Sequence, residues 1–415
     1  MRSFDPRLWI LNLDGEHELE AGKRYQPTAH LARLVEAQRT GLWSGASPLV
    51  RPGDLVLADP TTSPHLIQAS APLPCLRITS EGARAEAIEP GTIEVAHAWL
   101  ATERARAIAS ALGARLEWHT SSTQTTERWG GDASGATDTP AESASSSTRR
   151  STTGSDSGAA SGSPSQPPSL PTAPRTPGHP PPPTATPRPV SHGPAHASSV
   201  SHEPPKTSRL AQVNARDFAA TLHATLTPGA PLQKHIATTL DAALAIASRP
   251  APRGWLARRR FGAAGRGRRK LHAGDQPASA RAWLEASLRA GPVVLEPLVR
   301  IEHEYTRSGS VTHEGHVHMS EPCFQATTRQ GAWTHTERRG HEVAPADDAA
   351  LAHAFEAAGR ALRAAGYAGP FGIDAFRYRD PWNETHSHLN PLSEINARYT
   401  MDWALALAPR RTRAT

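Results

Sequence analysis

Residues 391–401 read PLSEINARYTM, and GIDAF at 372–376 stands shortly before them. The apolar neighbours of Asp374 predict one strand, and the alternation through Glu394 predicts another. Glu394 and Asn396 are two residues apart, so on a strand they share a face. With Asp374 they offer two carboxylates and a carboxamide. Mg2+ takes oxygen ligands of this kind, commonly beside substrate phosphates, and Mn2+ accepts the same set. Arg398 continues the alternation and would set a fixed cation beside the metal, where phosphoryl charge needs balancing. Two solvated strand carboxylates that happen to be neighbours would fit the spacing equally well.

The 415-residue chain has room for two or three domains, but its composition is uneven. Residues 119–207 are mostly Ser, Thr, Pro, Gly and Ala, as in GHPPPPTATPRPVSHGP at 178–194. Too few large apolar side chains are present there to repay the entropy of ordering, so a long disordered linker is expected. Its proline-rich character would also suit recruitment of a protein partner. The remainder, roughly 325 residues, is enough for a sizeable core.

The formal net charge is +6, and the only lysines are Lys23, Lys206, Lys234 and Lys270. The excess is arginine, modest and spread out. No basic region with interleaved aromatics stands out, so no nucleic-acid partner is expected. Cys75 and Cys323 lie far apart without a paired motif, which is neither a disulfide framework nor a zinc signature. The N-terminus lacks the pattern of a signal peptide, and no run approaches the roughly eighteen apolar residues of a membrane span. A cytoplasmic protein without a membrane partner is the expectation.

Leu8–Leu13, Asp54–Asp59 and Pro74–Ile78 read as strands, the first ending at Asp14-Gly15. His30–Gln38 has helical spacing, and His97–Leu112 reads as a helix closed by Gly113. This alternation predicts a small α/β domain with a parallel sheet over 1–118. No glycine-rich dinucleotide fingerprint follows its first strand. The second region predicts helices at Asp217–Leu226, at Thr238–Ser248 and, capped by serine, at Ser279–Ala290. A strand opens at Gly254–Leu256, another lies at Val293–Leu295, and Ser310–Met319 reads as a hairpin turning at Glu314-Gly315. A helix capped by Asp347 or Asp348 ends at Gly366 and leads to the Asp374 strand. The plan is α+β with antiparallel pieces and no internal repeat.

Two further segments carry chemistry. WLARRRFGAAGRGRRK at 255–270 places Gly262, Ala263, Ala264, Gly265 and Gly267 in a loop after a strand. Small residues let backbone N–H groups approach phosphate oxygens, and Arg266 and Arg268 would add charge-assisted bonds. A flexible hairpin tip with solvated arginines is the alternative. GPVVLEPLVR at 291–300 ends a strand on Glu296-Pro297, which by itself is an acid closing a strand. The histidines of the hairpin, His313, His316 and His318, read as exposed, because no acidic, histidine and cysteine set with known spacing completes a metal site. His386 and His388, before Glu394, stand as substrate-side candidates.

Taken in order, VNARDF at 213–218, the basic loop, the Glu-Pro strand, the hairpin, the helix, GIDAF and SEINARYT resemble the ATP-grasp superfamily over 208–408, followed by a tail at 409–415. The resemblance implies an α/β N-terminal domain before an α+β ATP-grasp domain. It implies that Asp374, Glu394 and Asn396 hold Mg2+ (or Mn2+) against ATP. The 262–268 loop and Arg398 would hold phosphates, and Glu296, Leu295 and Leu298 would lie at the adenine and ribose. The activity implied is activation of a small-molecule or peptide carboxylate as an acyl phosphate, captured by an amine or other nucleophile. One position departs from the pattern. The strand entering the loop carries Arg258 where a lysine is expected, and a planar fork replaces a compact ammonium. Lys234 or a neighbouring arginine could substitute for it. A nucleotide-binding protein without turnover, or a scaffold presenting the proline-rich linker, stays open as an alternative.

Overall fold

The structure is a computed structural model of the chain. It describes residues 7–13, 15–21, 50, 53–57, 73–79, 82–117, 207–262, 267–327, 333–339, 342–400 and 402–407. The expected helix at 30–38, the linker, loop residues Ala263, Ala264, Gly265 and Arg266, and the tail lie outside these residues. Contacts gather Met1–Gly131 and Ser201–Thr415 into one compact unit, and the other unit, Asp132–Val200, also lies outside the described residues.

The N-terminal elements are β1 (Leu8–Ile10), α1 (Gly15–Ala21), β2 (Leu55–Leu57), β3 (Leu73–Thr79), β4 (Gly82–Ile88), β5 (Val95–Ala98), α2 (Glu103–Ala111) and β6 (Arg115–Glu117). They form a six-stranded sheet in the order β4-β3-β2-β1-β5-β6. β2, β1, β5 and β6 run parallel, as the alternation predicts. β3 and β4 add an antiparallel hairpin, so the sheet is mixed. The alanine-rich β4 (GARAEAI) carries one β-branched residue, Ile88, and no aromatic one, so its composition marks a strand only weakly. The helix expected from His97 begins six residues later. His97 and Ala98 pair with Trp9 and Ile10 as a buried central strand, and Thr102 then caps α2 by accepting from Ala105 N.

The second group opens with α3 (Thr207–Val213) and α4 (Arg216–Leu226), followed by β7 (His235–Ala237), α5 (Leu240–Ala247), β8 (Trp255–Arg259), β9 (Arg268–Leu271), α6 (Ala278–Leu288) and β10 (Val293–Pro297). A four-stranded sheet, β7-β10-β8-β9, is antiparallel throughout. Its core, with Trp255, Leu284, Val293 and Leu295, packs under α5 and α6. Ser279 does not cap α6. Pro277 takes the cap position, and Ser279 Oγ accepts from Arg269 instead.

β11 (Arg300–Val311), β12 (Val317–Met319), β13 (Cys323–Thr327), β14 (Trp333–Glu337), α7 (Pro345–Ala364), β15 (Gly369–Arg379), β16 (Ser387–Asn396) and α8 (Trp403–Leu407) complete the chain. β14-β13-β11-β15-β16 form the third sheet, with β12 paired to β11. The hairpin turns at Gly315, whose φ of 97° suits glycine. Asp347 and Asp348 do not cap α7. The helix starts at Pro345, and in its first turn Asp347 binds Arg377 while Asp348 binds Arg307. Leu351, Phe355, Ala358 and Leu362 are buried as expected, and Phe355 stacks on Phe371 at 4.2 Å. One continuous apolar core runs from β1 and β5 through α3 to α7, Phe371, Ile395 and Tyr399. Among the described residues no helix is long and apolar enough to cross a membrane.

Candidate nucleotide and metal site

Asp374 on β15 stands directly opposite Glu394 on β16 and, on its other side, opposite Thr306 on β11. Asn396 is two residues further along β16, as the alternation predicts, and its Nδ2 donates to Asp374 Oδ2 at 3.0 Å. Gln325 on β13 donates to the other Asp374 oxygen at 3.3 Å. The register between β15 and β16 shifts just beyond this pair, so that Phe376 faces Asn390. The extra residues of β16 bulge out, and a bulge re-aims backbone groups. The carbonyls of Leu392 and Ser393 accept from Lys234 Nζ at 2.8 and 2.9 Å.

The four-stranded sheet brings its cations to the same place. Arg258 on β8 donates through Nη2 to Glu394 Oε2 at 2.7 Å, and its Nη1 donates to Ser393 Oγ at 3.3 Å and reaches Glu296 Oε1 of β10 at 3.5 Å. Arg216, at the start of α4, donates to both Glu394 oxygens at 3.2 and 3.4 Å and to the carbonyls of Arg259 and Gly262. Arg216 and Gln325 are residues that the sequence does not single out. Arg216 lies inside VNARDF, and the one sign of it was a charge in a helix-opening segment.

The electrostatics follow from this packing. Burial drives Lys234 down to about 8, with Glu296 and Glu394 pulling up and Arg258 and Arg216 pushing down. Burial, then Glu394 at close range, raises Asp374 to about 7. Burial alone would raise Glu394 too, but Arg216, Arg258, Arg398 and Lys234 together hold it below its ordinary value. Two polar atoms at this place are buried without a hydrogen-bond partner among the described residues, Glu296 Oε2 and Arg216 Nε.

The remaining predicted residues are distributed unevenly. Leu295 is wholly buried in the core of the four-stranded sheet, whereas Leu298 is half-buried and donates its N–H to Gly254 O at 2.8 Å. Of the loop, Gly262 and Gly267 are described, Gly267 at a φ of 71°, and Arg268 is exposed on β9. Arg398 does not continue the strand. β16 ends at Asn396, Arg398 N turns back onto Asn396 O, and the guanidinium goes to Glu16 of α1. His316 and His318 are exposed. His388 pairs with Asp380 at 3.2 Å. Among the described residues no group of three or more His, Cys, Asp or Glu side chains is arranged for a metal. The candidate set has two acids and an amide. A hard divalent cation fits it, because Asp374 and Glu394 stand side by side, and burial first, then the Glu394 charge, raises Asp374 to about 7. Beside Gln325, a cleft of about 340 Å³ opens between Glu304, Phe324, Thr327 and Arg339.

No protein-family model matches the chain, and no curated protein is similar to it. Solved structures are similar to parts of it. An ADP complex of purK, N5-carboxyaminoimidazole ribonucleotide synthetase, shows 15% identity over 47% of this chain and 47% of that one, with a TM-score of 0.35. The N5-carboxyaminoimidazole synthetase of Staphylococcus aureus with ADP shows 14% identity over 48% and 53%, at 0.34. A biotin carboxylase–β-γ-ATP complex from Campylobacter jejuni shows 15% identity over 48% and 43%, at 0.36. The chain thus spans about half the length of the structures it matches. The resemblance to the ATP-grasp superfamily is read from the chain's own motifs, in the order in which they follow one another.

Proposed function

We propose that this chain is an ATP-dependent ligase of the ATP-grasp type, with residues 208–408 as the part that carries the site. The observation that carries the proposal is the convergence of Arg216 from α4, Lys234 from the segment before β7 and Arg258 from the four-stranded sheet on Asp374, Glu394 and Asn396 of the third sheet. These three cations stand among the carboxylates of Asp374, Glu394 and Glu296, and a polyphosphate carried with a divalent cation is a ligand that would suit both sets of groups. Glu296 Oε2, buried with no hydrogen-bond partner among the described residues, supports a role for Glu296 as acceptor of an N–H or O–H of the nucleoside end.

In this reading a substrate carboxylate attacks the γ-phosphorus of ATP, ADP leaves, and an amine or another nucleophile then attacks the acyl carbon of the acyl phosphate, losing a proton and expelling inorganic phosphate. Asp374, Glu394 and Asn396 would hold Mg2+ or Mn2+, which when bound would neutralise phosphate charge. Arg258 and Lys234 bind the phosphates, and the 262–268 loop shields the acyl phosphate from water. The cleft beside Gln325 would admit the co-substrate. Mg2+-dependent ATP binding by calorimetry tests this. Wild type should bind, and a Glu394→Ala, Asn396→Ala double variant should not. Wild-type protein that takes up no nucleotide at any Mg2+ concentration would refute the proposal. A second reading, nucleotide binding without turnover, is favoured by one observation: Arg258 is already paired with Glu394 and Glu296. It predicts binding without ADP release from any mixture of carboxylates and amines.

A further inference from the structure

Glu16 opens α1, 382 residues before Arg398, yet it is buried against it. Its place is set by the N-terminal sheet. Asn12 clamps the ends of β1 and β5, donating to Leu100 O at 2.8 Å and accepting from Leu100 N at 3.1 Å, and its carbonyl receives Gly15 N at 2.9 Å. At Gly15 the backbone comes so close to Leu100 that a Cβ would lie 2.9 Å from Leu100 Cδ2. Glu16 is therefore delivered by a rigid corner.

Arg398 is held on several sides. Its Nε donates to Glu16 Oε1 at 2.9 Å, and Nη2 donates to the same oxygen. Nη2 also donates to Asn396 Oδ1 at 2.9 Å, and Nη1 to Tyr399 O at 3.2 Å. The Trp99 ring lies 5.9 Å from the guanidinium carbon. Because Arg398 takes the Asn396 oxygen, the Asn396 amide nitrogen faces Asp374 Oδ2. A run of hydrogen bonds thus leads from α1 through Arg398 and Asn396 to Asp374.

We propose that Glu16 is a positioning residue for the nucleotide and metal site, acting through Arg398 on Asn396 and Asp374. This deepens the ligase reading and rests on it for its functional consequence. Without the Glu16 carboxylate, Arg398 loses two of its four hydrogen bonds and keeps only those to Asn396 and Tyr399 O, so its charge is freer to turn toward Asp374 and Glu394, where it would compete with a divalent cation. The N-terminal sheet would then set the metal affinity of a site built from the C-terminal half.

The test uses the full chain. Glu16→Ala should raise the Mg2+ concentration for half-maximal ATP binding by about 10–100-fold, the usual cost of losing an outer-shell partner. Glu16→Asp should recover part of it. Glu16→Ala with Arg398→Ala should be no worse than Arg398→Ala alone. Additive losses, or a lowered melting temperature with unchanged Mg2+ dependence, would overturn the proposal. A second readout needs no ligand. The chain has five asparagines, so selective 15N labelling gives a sparse side-chain spectrum, with Asn396 assigned by Asn396→Ala. Glu16→Ala should shift the Asn396 amide signals and speed their exchange. An unmoved Asn396 signal overturns the positioning role, whatever the wild type does with ATP. A moved signal in a protein that binds no ATP upholds the relay and defeats the ligase reading.

Discussion

The Arg258 guanidinium on β8 and the Glu394 carboxylate on β16 meet at 2.7 Å across 136 residues of sequence, tying the four-stranded sheet to the third sheet. Both side chains are largely buried, and removing one partner of such a pair usually costs about 3–5 kcal/mol. Arg216 remains on Glu394, so Arg258→Ala should cost less, about 2 kcal/mol. Arg258→Lys keeps a cation and should retain most of the stability. Urea denaturation checks both, and a loss below about 0.5 kcal/mol for Arg258→Ala would mean the pair contributes nothing net.

Asp374 gives a pH dependence with a definite sign. Its carboxyl titrates at about 7 in the folded chain, mainly through burial and then Glu394, against an ordinary 3.8. Between those values the folded state holds a proton that the unfolded state has released. Stability therefore falls as pH rises through that window and stays lower above about pH 7. Asp374→Asn removes the fall. From about pH 5 to pH 8 the wild type should lose about 3 kcal/mol relative to the variant. Parallel stability–pH curves for the two proteins would contradict this placement of Asp374.

Lys234 titrates in the opposite sense for ligand binding. Burial brings it to about 8, so its ammonium loses charge as pH rises through that value. ATP affinity should weaken between about pH 7.5 and pH 9, a range where Asp374 is already ionised. Lys234→Met should weaken binding about tenfold at neutral pH and abolish the pH step. Calorimetry over that range decides it, and a step that persists in Lys234→Met would assign the titration elsewhere.

Two glycines separate conformational cost from steric cost. Gly53 has a φ of 95° with nothing within 4 Å of a built Cβ, whereas at Gly254, φ 81°, the Cβ would lie 2.4 Å from Leu271 O. Gly53→Ala should lose about 1 kcal/mol, the penalty of the left-handed backbone. Gly254→Ala should lose at least about 2 kcal/mol, because the β8–β9 pairing must also give way. Equal melting-temperature changes for the two would mean the backbone at Gly254 relaxes freely.

Much of the architecture was legible in local patterns. The strand at Leu8, the helix face of Leu351, Phe355, Ala358 and Leu362, and the turn at Gly315 each follow from periodicity or from glycine. The misread places share a cause. The apolar run at His97 continues into α2 and so predicts one helix, and only pairing with Trp9 makes His97 part of a strand. Ser279, Asp347 and Asp348 are good caps by residue type, but Arg269, Arg377 and Arg307 engage them instead.

Spacing alone sets Glu394 and Asn396 on one face, Asp374 within an apolar strand, and a run of small residues after Arg258. Those features depend on spacing along a few residues, which backbone geometry converts directly into direction. Only the tertiary structure decided which cations meet these acids. Arg216 and Lys234 reach Glu394 and the β16 carbonyls across 178 and 158 residues, and Arg398 turns away from the strand to Glu16. Charge has no period, and its partners are chosen by how sheets pack and which carboxylates are thereby buried without water.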